Sequence, residues 1–122
     1  MVGAMKRVLI LAAVGEAATG AALLIVPSLV GRLLFGEVLA GVAIPVARVT
    51  GIALIALGVA CFPGGSPRVG MLLYSAAVTL YLAYLGFAGG LGGILLWPAV
   101  VLHMTLSVLM ARASTGNKET KT

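Results

Sequence analysis

The sequence predicts an all-α integral membrane protein, a four-helix bundle with up-down-up-down topology. Of its 122 residues, 61% are hydrophobic and only 9% are charged, and the mean hydropathy is +1.20. A soluble domain has about 45–50% apolar and about 25% charged residues. The apolar residues form continuous runs of helix-spanning length, not the alternating strands of about 10 residues that build a membrane barrel. The composition therefore excludes both a soluble domain and a disordered chain.

Charged residues, prolines and glycines divide the chain into four spans. The first stops at Pro27, and the second has Pro45 in its first turn, where a missing N–H does no harm. Two prolines and two glycines between residues 63 and 67 turn the chain into the third span, and the glycine cluster 89–93 turns it into the fourth. The predicted spans cover residues of about 8–26, 44–62, 69–88 and 94–110.

The segment 28–41 lies between the first two spans and has two interpretations. Ser28 follows Pro27 and is a residue type that caps helices, and several leucines follow at amphipathic spacing. We expect either a short helix in the membrane interface or a loop with a few snorkelling side chains.

Small residues at four-residue spacing predict close helix packing. Ala12 and Gly20 flank Glu16 on one row of the first span, and Ala47 and Gly51 share a row in the second. Small side chains let membrane helices approach closely, which is the ordinary role of such rows.

The basic residues predict the orientation in the membrane. Four spans place both termini on one side, and six of the eight basic residues fall on that side: Lys6, Arg7, Arg68, Arg112, Lys118 and Lys121. We therefore expect a multi-pass protein of the bacterial inner membrane with both termini in the cytoplasm. The predicted organisation is one membrane domain, 1–112, and a polar cytoplasmic tail, 113–122. The net charge of +5 is then a topology signal and requires no nucleic-acid partner.

Three ionisable residues fall within the spans and are the main candidates for function: Glu16, Arg48 and His103. At about 1.5 Å per residue, Glu16 lies roughly 14–16 Å into the first span and His103 roughly 13–14 Å into the fourth. These depths predict that the two side chains meet near the midplane. Arg48 lies only about one turn into the second span, and Thr79 and Tyr81 fall near mid-depth in the third.

Glu16 has two interpretations. One is that it loads and releases a proton or cation, with His103 as a neighbour. The other is that it is neutral and joins helices by a hydrogen bond to Thr19, Thr79 or a tyrosine hydroxyl. For His103, the alternative to a functional role is a satisfied core histidine.

The composition favours a protein that is not an enzyme. One Cys and one His cannot make a metal site without neighbours, so we expect no metal and no cofactor. The chain has no Asp, which excludes a Ser-His-Asp triad. The glycine cluster lacks the Lys and Ser/Thr of a phosphate-binding loop.

Three segments carry a family resemblance. They are Glu-Ala-Ala-Thr-Gly from Glu16, Pro-Ser-Leu-Val-Gly-Arg-Leu-Leu-Phe-Gly from Pro27, and Ala-Arg-Val-Thr-Gly-Ile-Ala-Leu from Ala47. The chain resembles small uncharacterised bacterial four-span proteins of the DoxX-like kind, which implies a four-helix membrane bundle and no defined activity. Glu16 with Thr19 is also similar to the small multidrug resistance family. However, there is no Lys after the Glu and no Trp in the third span, and this second family is disfavoured.

The functional expectation is a small membrane protein of undefined biochemical role whose environment is the lipid bilayer. It would be a homo-oligomer or a subunit of a larger membrane complex. The alternative is a proton-coupled transporter of a small molecule or cation, working through Glu16.

Overall fold

The computed structural model describes residues 2–119, with side chains for residues 2–113. Its helices are α1 (Val2–Ile25), α2 (Pro27–Phe35), α3 (Ala43–Cys61), α4 (Pro67–Phe87) and α5 (Leu96–Glu119). Within this described part there is no strand, and four helices are long and apolar enough to cross a membrane. The predicted all-α fold class with four spans is therefore confirmed, and the segment after the first span forms a helix, α2.

The helix ends differ from the predicted spans at the two ends of the chain. α1 begins at Val2, before the basic residues Lys6 and Arg7, and α5 continues to Glu119. Most of the predicted tail 113–122 is thus helical backbone, and its last three residues lie outside the described part. The chain divides into two units, residues 1–70 and 71–122, and each is described by itself.

In the first unit, α1 and α3 pack along an antiparallel seam of glycines. A Cβ added to Gly20 would lie 2.5 Å from the carbonyl oxygen of Gly51, and one added to Gly51 would lie 2.5 Å from that of Gly20. Further along, a Cβ on Gly58 would lie 2.7 Å from the carbonyl oxygen of Ala13. The two backbones touch directly, so any side chain at these positions would push the helices apart.

A break between α1 and α2 ends the helix pair α1–α3 at the carboxyl end of α1. Val26 leaves the helical region, with φ −130° and ψ 59°, and Pro27 begins α2. Proline has no N–H to continue α1, but it fits the first position of a new helix. α2 ends at Gly36, whose φ of 77° is a left-handed cap with its N–H donating to the carbonyl of Arg32.

α2 is held by its small, inward face. Pro27 and Gly31 are buried. The large apolar side chains of α2 are exposed at 50–76%: Leu29, Leu33, Leu34 and Phe35. The chain then folds back, because Ser28 Oγ donates a hydrogen bond of 2.9 Å to the carbonyl oxygen of Leu39. Leu39 also contacts α2 at Gly31. This fold-back fixes α2 beside the start of α3.

The two predicted turns after α3 and α4 are confirmed. Gly64 takes a φ of 90°, and Ser66 Oγ accepts a hydrogen bond of 3.2 Å from the N–H of Val69, which caps the start of α4. In the second unit, Gly90 takes a φ of 67° in the turn before α5. Phe87 and Trp97 stack edge to face across that turn, with ring centroids 4.8 Å apart.

Candidate functional site

Glu16 lies on the edge of the seam between α1 and α3. At about 100° per residue it is roughly 60° round the helix from Ala13 and roughly 40° from Gly20, the residues that face α3. The Glu16 side chain is half-buried. Because the two backbones are in contact at Gly20 and Gly51, Glu16 lies beside the line of contact and not on it.

The Glu16 carboxyl has no hydrogen-bond or ion-pair partner among the described residues of the first unit. Thr19, one turn along, donates its hydroxyl hydrogen to the carbonyl of Gly15 at 2.8 Å. The Thr19 hydroxyl therefore has no hydrogen left for Glu16, but its oxygen can still accept one from a neutral carboxyl, so a hydrogen bond between Glu16 and Thr19 stays a prediction. Thr79 likewise donates to its own helix, to the carbonyl of Ser75 at 2.7 Å.

Arg48 is tied to the end of α1. Its Nε donates a hydrogen bond of 3.2 Å to the carbonyl oxygen of Leu24. In the antiparallel register Arg48 therefore stands level with Leu24, eight residues from Glu16, or roughly 12 Å along α1 at 1.5 Å per residue. A cation at the carboxyl end of a helix is favourable, and at this distance Arg48 does not neutralise Glu16.

His103 is held by its own helix and by an aromatic ring. Its Nδ1 lies 2.8 Å from the carbonyl oxygen of Ala99, and a carbonyl only accepts, so Nδ1 carries a proton. The imidazole packs edge-on against Tyr74, with ring centroids 5.8 Å apart. These contacts favour a packed core histidine. Glu16 belongs to the first unit and His103 to the second, and their meeting stays a prediction.

The remaining candidates lie on different faces of α4. Tyr81 and Thr79 are two residues apart, roughly 200° round the helix. The Tyr81 hydroxyl is buried and has no hydrogen-bond partner in the part of the chain that is described, and the same is true of Ser75 Oγ. Ser75 is fully buried. The sequence did not indicate a polar role for it, because a serine among small residues in a membrane helix is expected to be a packing residue. Tyr81 and Ser75 lie roughly 120° apart, so they form no common site.

The described residues contain no group of three His, Cys, Asp or Glu side chains that could hold a metal ion. Within its membrane-spanning helices, the first unit offers the carboxyl of Glu16 and the guanidinium of Arg48, which has spare donors. The second unit offers the Nε2 of His103. Comparisons of the chain with protein-family models, with curated proteins and with solved structures find no match. The resemblance to DoxX-like proteins therefore stays a prediction.

Proposed function

We propose that the chain is a non-enzymatic subunit of a larger membrane assembly, joined to its partners through Glu16. One observation carries this proposal. In the middle of an apolar helix, the half-buried Glu16 carboxyl has no partner among the described residues of its own unit.

The energetics of the bilayer support a partner outside the chain's own seam. A charged carboxyl at the centre of a membrane helix costs about 2.5–3.5 kcal/mol on insertion scales. The Thr19 hydroxyl donates to the carbonyl of Gly15 on its own helix, and Arg48 Nε donates to the carbonyl of Leu24. A cation or a hydrogen-bond donor on another membrane helix would offset the cost. We infer that this group lies on a second copy of this chain or on another membrane protein, and not on the second unit of the same chain.

The membrane and its orientation are part of the same proposal. Four candidate spans and the bias of six basic residues toward the side of the termini support a multi-pass protein of the inner membrane with cytoplasmic termini. The motif around Glu16 supports membership of the DoxX-like proteins.

Native mass spectrometry after extraction in mild detergent tests the assembly. We expect the wild type to appear with a stoichiometric partner or as an oligomer. Glu16→Leu should release the monomer. Glu16→Gln should retain the assembly, since an amide both donates and accepts. Thr19→Val is the matched control one turn away and should leave the assembly intact. A monomeric wild type, or an assembly that survives Glu16→Leu, would contradict the proposal.

A proton-coupled transporter is the second candidate, and the same partner-free carboxyl favours it. A carboxyl at mid-span that no fixed donor occupies is free to exchange a proton for a small cation. The measurement is uptake of methyl viologen, a small organic cation, into proteoliposomes driven by a pH gradient. Transport requires loss of uptake in Glu16→Gln with the assembly preserved. Uptake equal to that of empty liposomes in the wild type would rule this candidate out.

A further inference from the structure

A cavity of about 340 Å³ opens at the break between α1 and α2. Its walls include Pro27, Ser28 and Leu29 at the start of α2, and Ile44 and Arg48 at the start of α3. All five residues belong to the first unit, and the cavity is separate from Glu16, which does not line it. Its volume is far larger than the roughly 10–15 Å³ that a cavity needs on this measure to hold one water molecule.

Arg48 brings a cation with spare donors to this cavity. A guanidinium has five N–H donors, and the one on Nε is used by the carbonyl of Leu24. Within the described first unit, the four N–H groups on the two Nη atoms have no acceptor, and neither Glu16 nor Glu37 forms an ion pair with Arg48. A partly buried arginine without a counter-ion is costly near a membrane, so its charge calls for an anion.

We propose that this cavity binds the phosphate of an anionic phospholipid, with Arg48 as its main ligand. The planar guanidinium fork matches two oxygens of a phosphate. The start of α2, Pro27 to Leu29, also lines the cavity, and the positive end of the helix dipole adds a weaker positive potential there.

The apolar surroundings identify a lipid as the source of the phosphate. Leu29, on the cavity wall, is 50% exposed, Leu33 one turn along is 75% exposed, and Ile25 at the end of α1 is 73% exposed. These side chains offer acyl chains a surface beside the guanidinium. Arg48 also lies within about two turns of the start of α3, at Ala43, near the depth at which headgroups sit.

The test is a titration of the detergent-purified protein with phosphatidylglycerol, with the bound lipid counted by native mass spectrometry. Arg48→Gln should weaken lipid binding by about tenfold or more, the value of a lost charge-assisted hydrogen bond. Arg48→Lys keeps the positive charge but not the planar pair of donors, so its affinity for the lipid should lie between those of the wild type and Arg48→Gln. Arg32→Gln is the matched control, since Arg32 is exposed on α2 and does not line the cavity. It should change the affinity by less than about twofold.

A second variant keeps the test decisive if loss of the bond to Leu24 unfolds Arg48→Gln. Ile44→Phe narrows the cavity by placing a ring on its wall and does not change Arg48 or Leu24, and it should also weaken binding. Equal affinity of wild type, Arg48→Gln and Ile44→Phe for phosphatidylglycerol would overturn the proposal. Calorimetry with inorganic phosphate distinguishes a lipid from a free phosphate. If the protein binds phosphate through Arg48 but does not bind phosphatidylglycerol, the lipid assignment is overturned.

Discussion

Gly20 and Gly51 let α1 and α3 touch backbone to backbone, so adding one methyl group to either should separate the helices. In Gly20→Ala, the new Cβ would lie 2.5 Å from the carbonyl oxygen of Gly51, whereas ordinary contacts begin at 3.4 Å. The helices must therefore part by about 0.9 Å at this crossing. A gap of about 0.5–1 Å forfeits about a quarter to a half of each dispersion contact along the seam. Overpacking of this kind costs about 1–3 kcal/mol.

The matched control is Gly15→Ala. Gly15 lies on the same helix, and an added Cβ there meets nothing within 4 Å. Both variants gain the same helix propensity, so the difference between their free energies of unfolding isolates the clash. We expect Gly20→Ala to be less stable than Gly15→Ala by about 1–3 kcal/mol, measured by far-UV ellipticity during SDS titration in mixed micelles.

The double variant sharpens this prediction. Gly51→Ala clashes with the carbonyl of Gly20 at the same crossing, so one separation of the helices relieves both clashes. Gly20→Ala with Gly51→Ala should cost less than the sum of the single variants, with a coupling of about 0.5–3 kcal/mol. Equal stability of Gly20→Ala and Gly15→Ala, or strict additivity in the double variant, would refute the close seam.

Three further outcomes are expected. A reporter fused after Thr122 should read cytoplasmic and one inserted near Leu91 external, and a periplasmic signal at Thr122 would break the predicted topology. Gly36→Ala should lower the free energy of unfolding in the same SDS titration by about 1 kcal/mol, since φ is 77° there; no change would mean that α2 ends differently. Tyr74→Leu should lower the free energy of unfolding by about 0.5–1.5 kcal/mol more than its lost apolar area explains, because it removes the ring contact with His103. In a double-mutant cycle, this excess should disappear when Tyr74→Leu is made in the His103→Leu background.

The spans and turns could be predicted from the sequence because each depends on local chemistry. Runs of apolar residues define helices long enough for a bilayer, and the glycines near residues 64 and 90 supply the left-handed turns. The hydrogen bonds from the threonine hydroxyls to their own helices can also be predicted from the sequence. A helical threonine commonly bonds to the carbonyl four residues back, and Thr19, Thr50, Thr79 and Thr105 all do so.

The sequence predicted close packing through Gly20, Ala47 and Gly51, but it could not predict which rows meet, because that depends on rotation and register. The row Ala12, Glu16 and Gly20 looks like a packing stripe, but α1 turns Ala13 and Gly20 toward α3 and leaves Glu16 on the flank. Hydrophobicity all round α1 gives no signal of which stripe faces inward. The hydrogen bond from Arg48 to Leu24 could not be predicted for the same reason, since it joins two helices whose register the sequence does not give.

The break at Pro27 links the two polar features of the first unit. Without an N–H at residue 27, α1 cannot continue, and carbonyls of its last turn lose their helical donors. Arg48 Nε supplies a donor to one of them, that of Leu24, which positions the guanidinium at the end of α1 instead of beside Glu16. The guanidinium therefore lies at the cavity beside the break. Glu16, further down the same helix, has no counter-ion among the described residues of the first unit. In the described part of the first unit, the break at Val26 and Pro27 and the antiparallel register therefore leave Glu16 and Arg48 about 12 Å apart along α1 and without an ion pair.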